Sequence, residues 1–114
     1  EGNLIVGSWG AVMEGWGTPE LKGSLKSINI HTKEMKNLGK KPIGNLDGIE
    51  PDGKGSYFVT DWTGAKLYNI NKKGKFKVIA EVGKGAADHE VILDKNLIII
   101  PVMAEGKVIA LKVK

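Results

Sequence analysis

Apolar and polar positions alternate along this chain in short runs, and clusters of turn residues separate the runs. The clearest stretch is NLDGIEPDGKGSYFVTDWTGAKLYNI, residues 45–70. Tyr57-Phe58-Val59-Thr60 has the aromatic and β-branched character of a strand. Lys66-Leu67-Tyr68-Asn69-Ile70 alternates polar with apolar, as a half-buried strand does. Turn residues at 51–55, 61–64 and 71–74 divide the segment, with glycine where a positive φ is needed. This pattern predicts four strands, 47–50, 56–61, 65–71 and 76–82. Upstream it predicts strands within 3–10, 24–30 and 35–38. No segment keeps a period of 3.6 residues over eleven or more positions, so essentially no helix is expected.

The same runs recur. SYFVTDWT at residues 56–63 matches NLIVGSWG at 3–10, with Trp9 and Trp62 in register, and NLIIIPVM at 96–103 has the same shape with Val102 in the tryptophan position. The strands that follow also match: SLKSINI, KLYNIN and KVIALKV. Leu67 and Val108 are 41 residues apart, as are Asp47 and Asp88. A strand-rich unit repeating at about that spacing is the mark of a propeller blade. The expectation is an all-β chain, a single domain with about three blades of four-stranded antiparallel sheet, at 1–40, 41–83 and 84–114. The chain enters at the second strand of one such unit and leaves after the third strand of another. It has no initiator Met, as a fragment or processed product would not. The rest of the ring, or a second copy, is then the expected partner for its open edges.

The first copy carries an insertion, AVMEGWGTPELKG at residues 11–23, where the second has only Thr63-Gly64-Ala65. A loop of that length with Met13 and Trp16 is either a binding loop over a site or a hairpin elaboration packed on its own sheet.

Composition narrows the function classes. Sixteen glycines mark many tight turns. Absence of cysteine excludes disulfides, zinc–thiolate sites and cysteine nucleophiles, and leaves the compartment open. The net charge is +4, but all seventeen basic residues are lysines spread over turns and strands. Without arginine and without a basic block, nucleic acid is not an expected partner. No apolar run approaches the roughly 20 residues that span a membrane.

Asp47, beside Gly48 at the start of an inner strand, would place a carboxylate in a concave, partly dry mouth. Such a charge needs a cation or hydrogen-bond donors, and a hard cation such as Ca²⁺ suits converging carboxylates. The alternative is an Asx turn closed on a nearby backbone amide. Asp88 holds the same place one unit later, and His89 beside it is a candidate general base or a packed ring. Asp61 and Trp62, at the end of a strand, either line a substrate pocket or cap a turn and pack between sheets. Asp52-Gly53-Lys54-Gly55 joins two strands and opens no helix, so it is a hairpin turn and no phosphate cradle. No serine stands in a nucleophile-elbow context.

The segments LDGIEPDGKGSYFVTDWTGAKLYNI and AADHEVILDKNLIIIPVMAEGKVIALKV resemble the C-terminal half of the SMP-30/gluconolactonase-like six-bladed β-propellers. The resemblance covers residues 45–114 well and 2–38 more loosely. It implies one divalent metal, usually calcium, on the propeller axis, and metal-dependent hydrolysis of a small lactone or ester. It places Asp47 on the family's Asp-Gly ligand position. The match supports Asp47 alone; by their positions in the chain, Asp88 and His89 are the catalytic candidates, and Trp16, Asp61 and Trp62 the candidate substrate contacts. The alternative is a non-catalytic propeller that binds a ligand or protein partner through its top-face loops.

Overall fold

The computed structural model describes residues 2–11 and 22–113. Strands form where alternation and turn chemistry place them: β1 (Asn3–Gly7), β2 (Leu25–Asn29), β3 (Met35–Asn37), β4 (Leu46–Pro51), β5 (Tyr57–Asp61), β6 (Lys66–Ile70), β7 (Phe76–Glu81), β8 (Glu90–Ile92), β9 (Leu97–Val102) and β10 (Lys107–Lys112). They build three small antiparallel sheets in chain order, β1-β2-β3, β4-β5-β6-β7 and β8-β9-β10, and no sheet closes on itself. The helical content of the described residues is two single 3₁₀ turns, Leu93–Lys95 and Met103–Glu105.

Side-chain amides and carboxylates set three of the hairpin tips. The Oδ1 of Asn29 accepts from the backbone N–H of His31 and Thr32. Asp52 does the same for Lys54 and Ser56, and Asn71 for Lys73 and Lys75. These are the local bonds that make Asn and Asp turn formers.

The repeat is visible in the backbone. Asp61 pairs with Lys66 at the end of one hairpin, and Val102 with Lys107 at the end of the next. Gly55 and Asn96 both have positive φ, as do Ala65 and Gly106. Every one of these pairs is 41 residues apart. The same offset puts Met103, and not Val102, in the place of Trp62, so the expected alignment of NLIIIPVM is out by one residue. Val102 is a fully buried strand residue, whereas Trp62 has already left the strand for the turn.

The second sheet is sandwiched. Alternation along β5 sends Val59 towards the first sheet and Phe58 towards the third. Val59, Tyr68 and Ile70 pack with Leu25, Ile43 and Leu46, while Phe58 and Leu67 pack with Ile98, Ile100 and Val102. Full burial of a Leu or Ile side chain contributes roughly 2–3 kcal/mol, so these two seams hold the sheets together.

A polar pin crosses the seam between the first and second sheets. Asp61, 3% exposed, accepts from the Asn45 backbone N–H at 3.1 Å, the Gly64 N–H at 3.0 Å and the Tyr68 hydroxyl at 3.0 Å. Burial, and then the Asp61 carboxylate, push the Tyr68 phenol well above its ordinary range, so it remains a donor. The Asn45 amide reaches the Trp9 carbonyl at 2.8 Å and accepts from the Thr63 hydroxyl. Gly44 must be glycine here, since a Cβ would sit 2.2 Å from Asp61 Oδ2. Truncation by Asp61→Ala strands two buried donors and one part-buried one, each buried donor worth about 1–3 kcal/mol. Urea unfolding of that variant is expected to show a loss of about 3–5 kcal/mol, and a loss below about 1 kcal/mol contradicts the assignment.

Candidate functional site

The candidate residues gather where the first strands of the sheets lie side by side, β1 against β4 and β4 against β8. The decisive local feature is a bulge in β4. Its ladder with β5 runs Leu46↔Asp61 and then Ile49↔Val59, so Asp47 and Gly48 together oppose Thr60. The extra residue takes the Gly48 N–H out of the ladder, and the Thr60 hydroxyl accepts it at 2.9 Å. The same hydroxyl donates to the Ala87 carbonyl at 3.0 Å. Thr60 is fully buried. One side chain therefore fixes the residue after Asp47 and the residue before Asp88, across two sheets.

Gly48 completes the approach. A Cβ there would lie 2.7 Å from Asp88 Cα and 2.8 Å from His89 Nδ1. Only glycine lets β4 come this close to the 88–89 segment.

The bulge turns Asp47 outward, and Asp88 is exposed beside it. Partial burial raises the pKa of Asp47, and the Asp88 charge raises it further, with the Asp88 backbone pulling the other way. Glu50 is also raised, by burial and then by Glu90 and Asp88. Four carboxylates thus share one small region of a chain with net charge +4. Among the described residues the ion pairs are Lys36–Glu34 and Lys107–Glu105, so no lysine neutralises this group. Asp47 makes no hydrogen bond that closes an Asx turn on Ile49. No set of three or more His, Asp or Glu among the described residues converges tightly enough to enclose a metal ion. What is present is a pair of neighbouring carboxylates, oxygen donors of the type a hard cation takes.

His89 is buried, whereas Asp88 beside it is exposed. His89 is only 4% exposed, and neither ring nitrogen has a regular hydrogen bond. Burial pulls its pKa down, outweighing Asp88, the nearby Phe58 backbone and Glu90, which pull it up. The ring is a neutral, packed group under Gly48.

The remaining expected contacts are placed differently. Asp61 is consumed by the pin described above. Trp62 packs against Trp9, with ring centroids 5.9 Å apart and planes tilted by 55°, across the seam between two sheets. Trp16 and Met13 lie outside the described residues. Sequence reasoning passed over Thr60, Asn45 and Glu50. The signal for Glu50 was its place three residues after Asp47. For Thr60 and Asn45 no local signal exists, because their partners are 27 and 36 residues away.

Comparison with family models, curated proteins and solved structures gives no match.

Two outcomes follow from this geometry. Thr60→Val keeps the shape but strands the Gly48 N–H and the Ala87 carbonyl, and chemical denaturation is expected to show a loss of about 2–4 kcal/mol. A neutral buried His89 contributes stability that is fully present above its ordinary pKa of 6.5 and is lost as pH falls through its depressed folded value. His89→Phe is therefore expected to flatten the decline of Tm with pH below 6.5, relative to wild type. Parallel Tm–pH curves would contradict it.

Proposed function

We propose that the three sheets are consecutive blades of a six-bladed β-propeller of the SMP-30/gluconolactonase-like kind, and that Asp47 and Asp88 bind a divalent cation, calcium, at its axis. The observation that supports this is a pair of carboxylates, one on β4 and one just before β8, their neighbours Gly48 and Ala87 held together by Thr60, with no lysine paired to them among the described residues. Holding two like charges this close costs stability unless a cation occupies the space between them. The oxygen donors are of the type calcium prefers, and further ligands of the shell come from strands beyond those described.

On this reading the chain belongs to a metal-dependent hydrolase of small lactones or esters. A bound divalent cation supplies Lewis-acid polarisation of the carbonyl and a lowered pKa for an attacking water. The chain's own contributions are the placement of Asp47, the neighbouring Asp88, and Glu50 with its raised proton affinity at the rim. His89 favours the second reading, a non-catalytic propeller binding a small ligand, because a ring 4% exposed has no path to a substrate proton.

Calorimetric titration with calcium tests the site. Wild type is expected to bind saturably, and Asp47→Asn and Asp88→Asn each to weaken binding more than about tenfold. The raised pKa of Asp47 means that its favourable contribution is present at acid pH and is lost as pH rises through the folded value. Asp47→Asn is therefore also expected to raise Tm at neutral pH without calcium, which separates loss of the site from loss of the fold. Unchanged calcium affinity in both variants would sink the proposal.

A further inference from the structure

The two internal seams are built the same way. In each, the face carrying Ile5 and Leu25 in the first sheet, or Phe58 and Leu67 in the second, meets the opposite face of the next sheet. That opposite face carries Val59, Tyr68 and Ile70 in the second sheet, and Ile98, Ile100 and Val102 in the third.

Among the described residues, the end sheets each keep one face with no partner. In the third sheet, strand pairing aligns Pro101 with Val108 and Ile99 with Ala110, on the side away from the Ile98–Ile100–Val102 core. Cross-strand partners share a face, so this is a continuous apolar surface, with Val108 67% exposed. In the first sheet, Leu4, Ile28 and Met35 align in one row across all three strands, on the side away from Ile5. Leu4 is 56% and Met35 57% exposed. β9, with the sequence LIIIPV, is apolar on both sides. An antiparallel strand that leaves one face in water alternates instead.

By backbone register the bare face of the third sheet is equivalent to the face carrying Phe58 and Leu67. Thr60 pairs with Leu67, as Pro101 does with Val108 and Gly7 with Leu25. The bare face of the first sheet is equivalent to the one carrying Tyr57, Val59 and Ile70. The chain therefore displays, at its two ends, both halves of the seam that it already makes twice internally.

We propose that a second copy of this chain docks head to tail, with the Leu4–Ile28–Met35 face of one copy on the Ile99–Pro101–Val108 face of the other. The seam is heterologous, so two copies close on each other if the rotation allows, and otherwise the contact propagates. The inference rests on sheet packing and does not depend on the cation.

Analytical ultracentrifugation of the wild-type chain over the micromolar range tests it, beside Leu4→Lys and Val108→Lys. Both positions are exposed, so neither substitution disturbs the folded chain, and far-UV circular dichroism checks this. The wild type is expected to sediment as a dimer or larger species and each variant alone as a monomer. In an equimolar mixture, each mixed pair of the two variants has one blocked and one intact copy of each face. The mixture is expected to form a one-to-one complex through the two intact faces and to stop there. A monomeric wild type overturns the proposal and assigns the faces to another partner. Self-association that survives in either variant, or a mixture that stays monomeric, also overturns it.

Discussion

One hydroxyl group ties the architecture to the site. Thr60 accepts from Gly48 and donates to Ala87, so a single buried side chain closes the bulge in one sheet and hooks the next sheet onto it. The bulge exists because Asp47 and Gly48 share one partner residue, and the ladder bond that Gly48 forfeits must be made elsewhere. Were that N–H left bare, its desolvation would favour a regular strand. A regular strand would turn Asp47 by one position and separate it from Asp88. The pairing of the two carboxylates is thus a consequence of where one donor finds its acceptor.

The two seams use different polar devices for the same task. Between the first and second sheets, Asp61 and Asn45 form a compact network that consumes a buried carboxylate entirely on backbone and hydroxyl donors. Between the second and third sheets, the Thr60 hydroxyl and a bond from the Gly85 N–H to the Trp62 carbonyl carry the polar link, and the core of the seam is apolar. The position equivalent to Asn45 in the third sheet is Ala86, and the one equivalent to Asp61 is Val102, both fully buried. A network whose partners are all replaced by apolar groups leaves nothing unsatisfied, so the exchange is tolerable where single losses are not.

Electrostatics sets the candidate site apart from the rest of the surface. The chain is basic overall, yet among the described residues Asp47, Glu50, Asp88 and Glu90 stand together with no lysine paired to them. Lysine is long and strongly hydrated, and its flexible stem lets the ammonium keep its water. Burial first, and then the excess of like charge, raises the proton affinities of Asp47 and Glu50. His89 lies close by but behind the strand, held neutral by burial rather than by a partner.

The sequence by itself determined the strands, the hairpin tips and the repeat. These depend on a period of two, on β-branched residues and on Asn, Asp and Gly bonding to amides a few positions away, all of which are local. It also singled out Asp47 and Asp88, because an equal offset in sequence becomes an equal place in successive sheets. Only the tertiary structure decided what surrounds them. The bulge at Asp47–Gly48 depends on Thr60, and Thr60 on Ala87 in another sheet. Asp61 and Trp62 face a seam that does not exist until two sheets meet. The one-residue error over Val102 arose for the same reason: a β-strand slipped by one position keeps its apolar composition and exchanges its faces, and only the neighbouring sheet shows which face is covered.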